Sequence, residues 1–228
     1  MPGAGCRVGL LRGQTAGAAP ERPPARGYPT TVATRGSHVG ELQRAFDRLG
    51  NRTDARLGAM ELPVLQSERL TLRPLSDEDI EALLPAVYID GIREWWGDTS
   101  DPDYQREGFR NDGSAFAIYV DEAIAGWLAF HEETEPDYRQ VALDIMLLPH
   151  HQGQGLGPEA LRTAIRWFID DRGHHRFTID PSVENERAIA AYGAIGFKPV
   201  GILRKSERAP EGHWRDGLLM DLLADELE

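Results

Sequence analysis

Between Leu147 and Pro158 the chain reads Leu-Leu-Pro-His-His-Gln-Gly-Gln-Gly-Leu-Gly-Pro, an apolar strand ending in a glycine-rich turn that opens onto an amphipathic helix. Glycines at alternate positions, Gly153, Gly155 and Gly157, let the backbone curl tightly and turn successive N–H groups outward. The helix N-terminus behind them adds the positive end of its dipole, so the turn suits an anion such as a pyrophosphate. Spacing excludes two other phosphate loops. The dinucleotide fingerprint needs a wider last gap, and no Lys-Ser/Thr pair follows as a nucleotide-hydrolase loop requires. A bare structural connector stays open as an alternative. Two histidine pairs, His150-His151 and His174-His175, have no carboxylate or cysteine at metal-ligand spacing, so no metal site is expected. The first pair reads as a loop beside the turn and the second as a helix C-terminal cap.

The elements that must position this turn follow in a definite order. Leu70 and Leu72 alternate with polar neighbours in a first strand over 69–73. Ser76 followed by Asp79 reads as a helix cap, with Ile80, Leu83, Leu84 and Val87 as the apolar stripe behind it. A second helical piece is expected over 92–96, then a hairpin of strands 116–120 and 123–131 across Asp121-Glu122. A long strand over 140–148 leads into the turn. Pro158 suits the first helical position, and Leu161, Ala164, Ile165, Phe168 and Ile169 mark the buried face of the helix it opens. A strand over 176–180, a helix over 185–194 stopping at Gly196, and a hairpin of 198–204 with 214–223 complete the domain. Segments 98–113 and 132–138 read as loops. Strands on both sides of a crossover helix favour a mixed sheet with helices on both faces, and no internal repeat is present.

Charge divides the chain. Residues 1–59 hold nine arginines against four acidic residues, a balance of +5, whereas residues 60–228 hold 16 basic and 33 acidic residues, a balance of −17. Such a domain repels nucleic acid and anionic membranes and attracts cationic ligands. Residues 1–40, rich in Gly, Pro, Ala and Arg, read as disordered. Their prolines and glycines argue against an amphipathic transit helix. Leu42, Ala45, Phe46 and Leu49 fall at helical spacing, and Met60 reads as a candidate true start, making 1–59 a disordered or non-native extension of a domain over 60–228. The one cysteine, Cys6, can form no internal disulfide, and no apolar run spans a bilayer, so a cytoplasmic location is expected.

The pattern Gln-x-x-Gly-x-Gly, here Gln152, Gly155 and Gly157, resembles the acetyl-CoA loop of the GNAT superfamily of N-acetyltransferases. Downstream, Asn185-Glu186-Arg187-Ala188-Ile189-Ala190-Ala191-Tyr192-Gly193-Ala194-Ile195-Gly196-Phe197 is similar to the family's Asn…Ala-x-x-x-Tyr-x-x-x-Gly-Phe helix. The resemblance covers 65–224 and implies a GNAT-type α/β (α+β) fold, with a mixed, mostly antiparallel central sheet. Finer matches resemble the aminoglycoside 6′-N-acetyltransferases: Glu94-Trp95-Trp96-Gly97, Asp144 within Leu143-Asp144-Ile145, and Asp180-Pro181-Ser182 followed by Asn185 and Arg187-Ala188-Ile189. The Trp pair also resembles enzymes that acylate hydroxylysine-type side chains for siderophores, and Gly212-His213-Trp214-Arg215-Asp216-Gly217 resembles enzymes that acetylate protein N-termini.

These resemblances imply acetyl-CoA as co-substrate, no metal, and a small cationic amine as acceptor for a monomer or homodimer. The pyrophosphate would rest on the N–H groups of Gln152, Gly153, Gln154, Gly155, Leu156 and Gly157. Pantetheine would pair with the strand backbone around Ile145, Leu147 and Leu148, where an N–H would also steady the oxyanion. Tyr192 would protonate the departing thiolate, and Asn185 would anchor pantetheine or hold a water. Asp144 and Asp180 would share the tasks of base and cation grip, with their order open. Trp95 and Trp96 would stack on the acceptor or serve as core aromatics. A non-catalytic acyl-CoA sensor is the alternative of another class.

Overall fold

The apolar alternation resolves into one eight-stranded sheet of order β1-β2-β3-β4-β5-β6-β8-β7. The structure is a computed structural model that describes residues 62–97 and 99–227. The N-terminal extension, the helical spacing at 42–49 and Met60 lie outside the described residues. The strands are β1 (Leu65–Gln66), β2 (Thr71–Pro74), β3 (Ala115–Val120), β4 (Ala123–Glu133), β5 (Gln140–Leu147), β6 (Arg176–Ile179), β7 (Lys198–Arg208) and β8 (Trp214–Leu223). The α-helices are α1 (Asp77–Leu83), α2 (Arg93–Trp96), α3 (Pro102–Arg110), α4 (Leu156–Asp170) and α5 (Glu186–Gly193). Every strand pair is antiparallel except β5 with β6, which the crossover through α4 makes parallel.

Both faces of the sheet are covered. On one, α4 buries Leu156, Ala160, Leu161, Ala164, Ile165 and Phe168 against Leu72, Phe116, Leu128, Phe130, Leu143, Phe177 and Leu222. On the other, Ile80 and Leu83 of α1 and Phe109 of α3 pack against Trp127, Ala129 and Met146. Each such side chain contributes about 1.5–3 kcal/mol on burial, which makes these layers the rigid frame for the loops at the strand ends. The expected Ser76 cap is a full capping box with Asp79, and the Asp121-Glu122 hairpin turns with both residues left-handed, φ 47° and 62°.

Several expectations need correcting. The first strand is two short pieces, because Ser67 N–H bonds Leu70 O and breaks the run between β1 and β2. The segment 98–113 is not a plain loop but contains α3. Asp101 caps that helix through Oδ1 with the amides of Asp103 and Tyr104, and Pro102 takes the first position. Helix α4 begins at Leu156, so Pro158 stands third rather than first; no intrahelical acceptor exists for that N–H in any case.

Strand β4 overruns its expected end at His131, and this brings Glu132 to His174. Nε2 of His174 lies 2.6 Å from Glu132 Oε1, and Arg172 Nη2 donates to Oε2 at 2.7 Å. The His174 ring is therefore a buried partner of Glu132, while its N–H caps the end of α4 on Phe168 O at 3.0 Å; Gly173, φ 69°, makes the turn. Burial alone would raise the Glu132 pKa, but the hydrogen bonds from His174 and Arg172 outweigh it and hold the carboxyl below 4.5. A depressed folded-state pKa stabilises above the unfolded value and loses that contribution as pH falls through the folded one. Glu132→Gln is accordingly expected to lower Tm at about pH 7, and the deficit should shrink as pH falls through the depressed folded-state pKa of Glu132. Thermal melts across that range check this.

Candidate active site

The glycine turn begins with a single 3₁₀ turn, Pro149–His151, after which Gln152 N–H donates back to Pro149 O at 3.2 Å. Gln152 is thus not one of the outward-facing amides that the sequence pattern implied. Its side chain instead braces the turn: Nε2 donates to Leu147 O at 2.8 Å and Oε1 accepts from Arg187 Nη2 at 2.9 Å. Gly153 and Gly155 follow with φ 75° and 79°, a left-handed conformation that a Cβ would strain. Among the described residues, the amides of Gly153, Gln154, Gly155, Leu156 and Gly157 find no backbone acceptor. Five consecutive donors therefore stand at the N-terminus of a fifteen-residue helix.

A brace that sequence reading missed holds this turn from behind. Arg69 Nη1 donates to Gln154 O at 2.9 Å, while its Nε reaches Glu159 Oε2 at 2.7 Å. Ser67 Oγ donates to Glu159 Oε1 at 2.7 Å. Burial pushes the Glu159 pKa up, but the bonds from Ser67 and Arg69 outweigh it and keep the carboxyl below 4.5. The only sequence signal was a Glu in the first turn of α4. Nearby, His150 and His151, expected in a plain loop, lie within the 3₁₀ turn, and burial followed by the charge of His150 lowers the His151 pKa.

Beside the turn the sheet has an open edge. β4 pairs with β5 from Gly126↔Leu147 to Glu133↔Gln140. β6 pairs with β5 at Val141↔Phe177 and Ala142↔Thr178, and among the described residues no strand pairs with the backbone of Leu143, Ile145, Met146 and Leu147 on that side. Leu148 N–H donates to Ala125 O at 2.8 Å. Alternation of amide direction then turns the N–H groups of Leu147 and Ile145 toward the open edge. The Leu147 carbonyl, which accepts from Gln152, faces the same way.

Two carboxylates flank this edge. Asp144 lies on β5 two residues after Ala142, and Asp180 follows the end of β6, two residues after Thr178, the partner of Ala142. Tyr192 of α5 packs half-buried against the larger core. Burial, then the negative charges of Asp144 and Asp180, raise its pKa above the usual 10. One phenol hydroxyl therefore senses both aspartates across the open edge. Asn185 caps α5, its Oδ1 accepting from Ala188 N–H at 3.1 Å. The tryptophan pair divides: Trp96 stacks on Phe109 at 5.1 Å and edges Trp127 at 5.6 Å within the smaller core, whereas Trp95 is 37% exposed.

A helix N-terminus with five outward amides beside an unpaired strand edge is an arrangement that comparison can test. Residues 69–198 match the family described as the acetyltransferase (GNAT) domain. The chain belongs to the GNAT acetyltransferase family. It is 27% identical over 158 residues to an aminoglycoside N(6′)-acetyltransferase type 1 of Klebsiella pneumoniae, covering 59% of this chain and 77% of that one. The fold matches Mycobacterium smegmatis RimJ in complex with CoA-disulfide, at TM-score 0.63, 22% identity and coverage of 72% and 89%. It also matches the spermidine N-acetyltransferase of Vibrio cholerae in complex with CoA and spermine, at TM-score 0.61, 21% identity and coverage of 70% and 98%.

As a GNAT protein the chain is an acyl-CoA-dependent N-acetyltransferase with acetyl-CoA as co-substrate. The outward amides, the left-handed glycines and the open edge of β5 fit such a co-substrate. Among the described residues no cluster of His, Cys, Asp or Glu is arranged to hold a metal, and no helix is long and apolar enough to cross a membrane. Gly155→Ala tests the turn: left-handed backbone costs a residue with a Cβ about 1–2 kcal/mol. An added Cβ would also press Arg69 Nη2 at 3.4 Å. The variant is expected to lose about tenfold in acetyl-CoA affinity by titration, the equivalent of about 1.4 kcal/mol.

Proposed function

We propose that this GNAT enzyme acetylates a primary amine of a small polycationic acceptor, the 6′-amino group of an aminoglycoside, in the cytoplasm, as a monomer or homodimer and without nucleic acid or membrane. The observation that carries the reading is the open edge of β5 beside the amides that open α4; the negative charges of Asp144 and Asp180, which raise the Tyr192 pKa, support it. The surplus of 17 negative charges over 60–228 supports a cationic acceptor. The likeness to an aminoglycoside N(6′)-acetyltransferase supports the acceptor class.

Acetyl-CoA supplies an activated acyl group: the amine nitrogen forms a bond to the thioester carbonyl carbon as the bond to sulfur breaks. The amides of Gly153 to Gly157 receive the diphosphate, with Gln152 bracing them through Leu147 and Arg187. The amides of Ile145 and Leu147 lie where pantetheine and the carbonyl oxygen need donors, with Leu148 closing the strand end and Asn185 holding α5 beside it. An acceptor amine arrives protonated and must become neutral to attack. One of Asp144 and Asp180 takes that proton, and the other holds the remaining positive charge. Tyr192 hydrogen-bonds the departing sulfur, and the proton that the nitrogen sheds as the amide forms goes to that sulfur, giving the CoA thiol. Trp95, and Trp96 behind it, wall the acceptor side.

Initial rates of CoA release with a kanamycin-type aminoglycoside, spermidine, free lysine, a hydroxylysine-type amine and an N-terminal peptide test the reading. The aminoglycoside is expected to lead in kcat/KM by about a hundredfold, the scale of discrimination a polar pocket supports, with acetyl on the 6′ nitrogen by NMR. A peptide or lysine-derived amine in the lead would overturn the acceptor class. Tight acetyl-CoA binding with no transfer to any amine would make the protein a sensor.

A further inference from the structure

The segment that carries the tryptophan pair is joined to the rest of the site by one buried cation. Arg215 on β8 is 7% exposed, in a domain with a large negative surplus. Its Nη1 donates to the backbone carbonyl of Glu94 at 2.7 Å, its Nε donates to Glu207 Oε1 at 2.6 Å, and its guanidinium carbon lies 5.1 Å from the Trp95 ring centroid. The same strand runs on into the carboxylate end of the site. Leu218 N–H donates to Pro181 O at 2.8 Å, Val183 N–H to Asp216 O at 3.0 Å, and Ser182 bridges Gly217. Arg215 therefore stands between the α2 segment and the chain that leaves Asp180.

We infer that Arg215 is a positioning residue that fixes Trp95 and the α2 segment relative to Asp180, and so sets how the acceptor amine is held. The inference rests on the acetyl-transfer reading above for its kinetic consequence only. Helix α2 has four residues and no side-chain N-cap bond; so short a helix is marginal by itself, and while Ile92 and Trp96 hold it to the smaller core, Arg215 ties its Glu94 carbonyl and Trp95 ring to β8. A lysine would replace it only in part, because a single ammonium keeps the charge but cannot donate in two fixed directions while lying flat on a ring. With one face of Trp95 turned to a guanidinium, the attraction of the ring for cations is already engaged there. The free face then suits an uncharged ring surface of the acceptor better than a second ammonium.

Two readouts test the inference independently of each other. Hydrogen exchange of wild type, Arg215→Met and Glu207→Gln, without substrate, is expected to show amides 92–97 exchanging about tenfold faster in Arg215→Met, the loss of one charge-assisted hydrogen bond. Glu207→Gln keeps Arg215 but loosens it, and should give a smaller change of the same sign. Unchanged exchange at 92–97 in both variants overturns the inference, whatever the enzyme's substrate proves to be. In turnover assays Arg215→Met should raise the amine KM about tenfold, with kcat and the acetyl-CoA Kd within about threefold and partial rescue by Arg215→Lys. An equal loss of acetyl-CoA affinity would mark a general loosening and overturn the positioning role. Absence of any transfer by wild type would sink the acceptor reading and leave the exchange result to decide this one.

Discussion

Tyr192→Phe is expected to lower kcat by about 10²–10³-fold, within the range for loss of one positioned proton donor, while the acetyl-CoA Kd changes less than about threefold. Burial and the charges of Asp144 and Asp180 raise the Tyr192 pKa above 10, so the hydroxyl keeps its proton through neutral and mildly alkaline solution. A thiol titrates near about 8.5, and full proton transfer from so weak an acid to the sulfur is uphill. On the proposed reading Tyr192 donates a hydrogen bond that strengthens as the C–S bond lengthens, and phenylalanine would remove it without changing the packing of the ring on Phe197. The pH–rate profile of wild type should show no loss due to Tyr192 below about pH 10. Unchanged kcat in Tyr192→Phe would remove the donor assignment.

Gly126→Ala should be the most damaging small substitution outside the glycine turn. Gly126 pairs with Leu147 at the end of β5, and a Cβ built there would stand 2.2 Å from the Met146 carbonyl oxygen and 2.9 Å from Leu147 Cδ2. The first of these is backbone in a paired strand and cannot swing aside. Overpacking of this kind costs about 1–3 kcal/mol. Relief requires pushing Met146 and Leu147 outward, into the edge whose amides face the site. The expected result is a lower Tm together with a loss of acetyl-CoA affinity larger than the loss of stability accounts for. Stability and affinity falling in strict proportion would show that the strand end is not part of the binding surface.

Gly126 also shows what the sequence left unread. A lone glycine inside an apolar strand signals close backbone approach, but which backbone approaches depends on the β4–β5 register, and that is set by pairing over the full strand. The glycine turn, the cap at Ser76 and the helix over 185–194 were legible because each is a local device with its own residue chemistry. Tyr192, Asp144 and Asp180 were named only through what the resemblance implies. The Arg69–Glu159 brace and the Arg215 anchor were not legible, since each joins residues about 90 or 121 positions apart. Arginine and glutamate at those positions look like ordinary solvated charges. Helix α3 was hidden for another reason: its polar surface blurred the apolar period, although Asp101-Pro102 announced its start.

The measurement closest to the central claim is calorimetric titration of the purified protein with acetyl-CoA and, separately, with S-acetyl-pantetheine, which lacks the diphosphate. If the amides of Gly153 to Gly157 hold that group, acetyl-CoA should bind one to one in the micromolar range, and the truncated thioester about a hundredfold weaker, a difference of about 2.7 kcal/mol. Equal affinity for the two ligands, or no heat with either, would contradict the account.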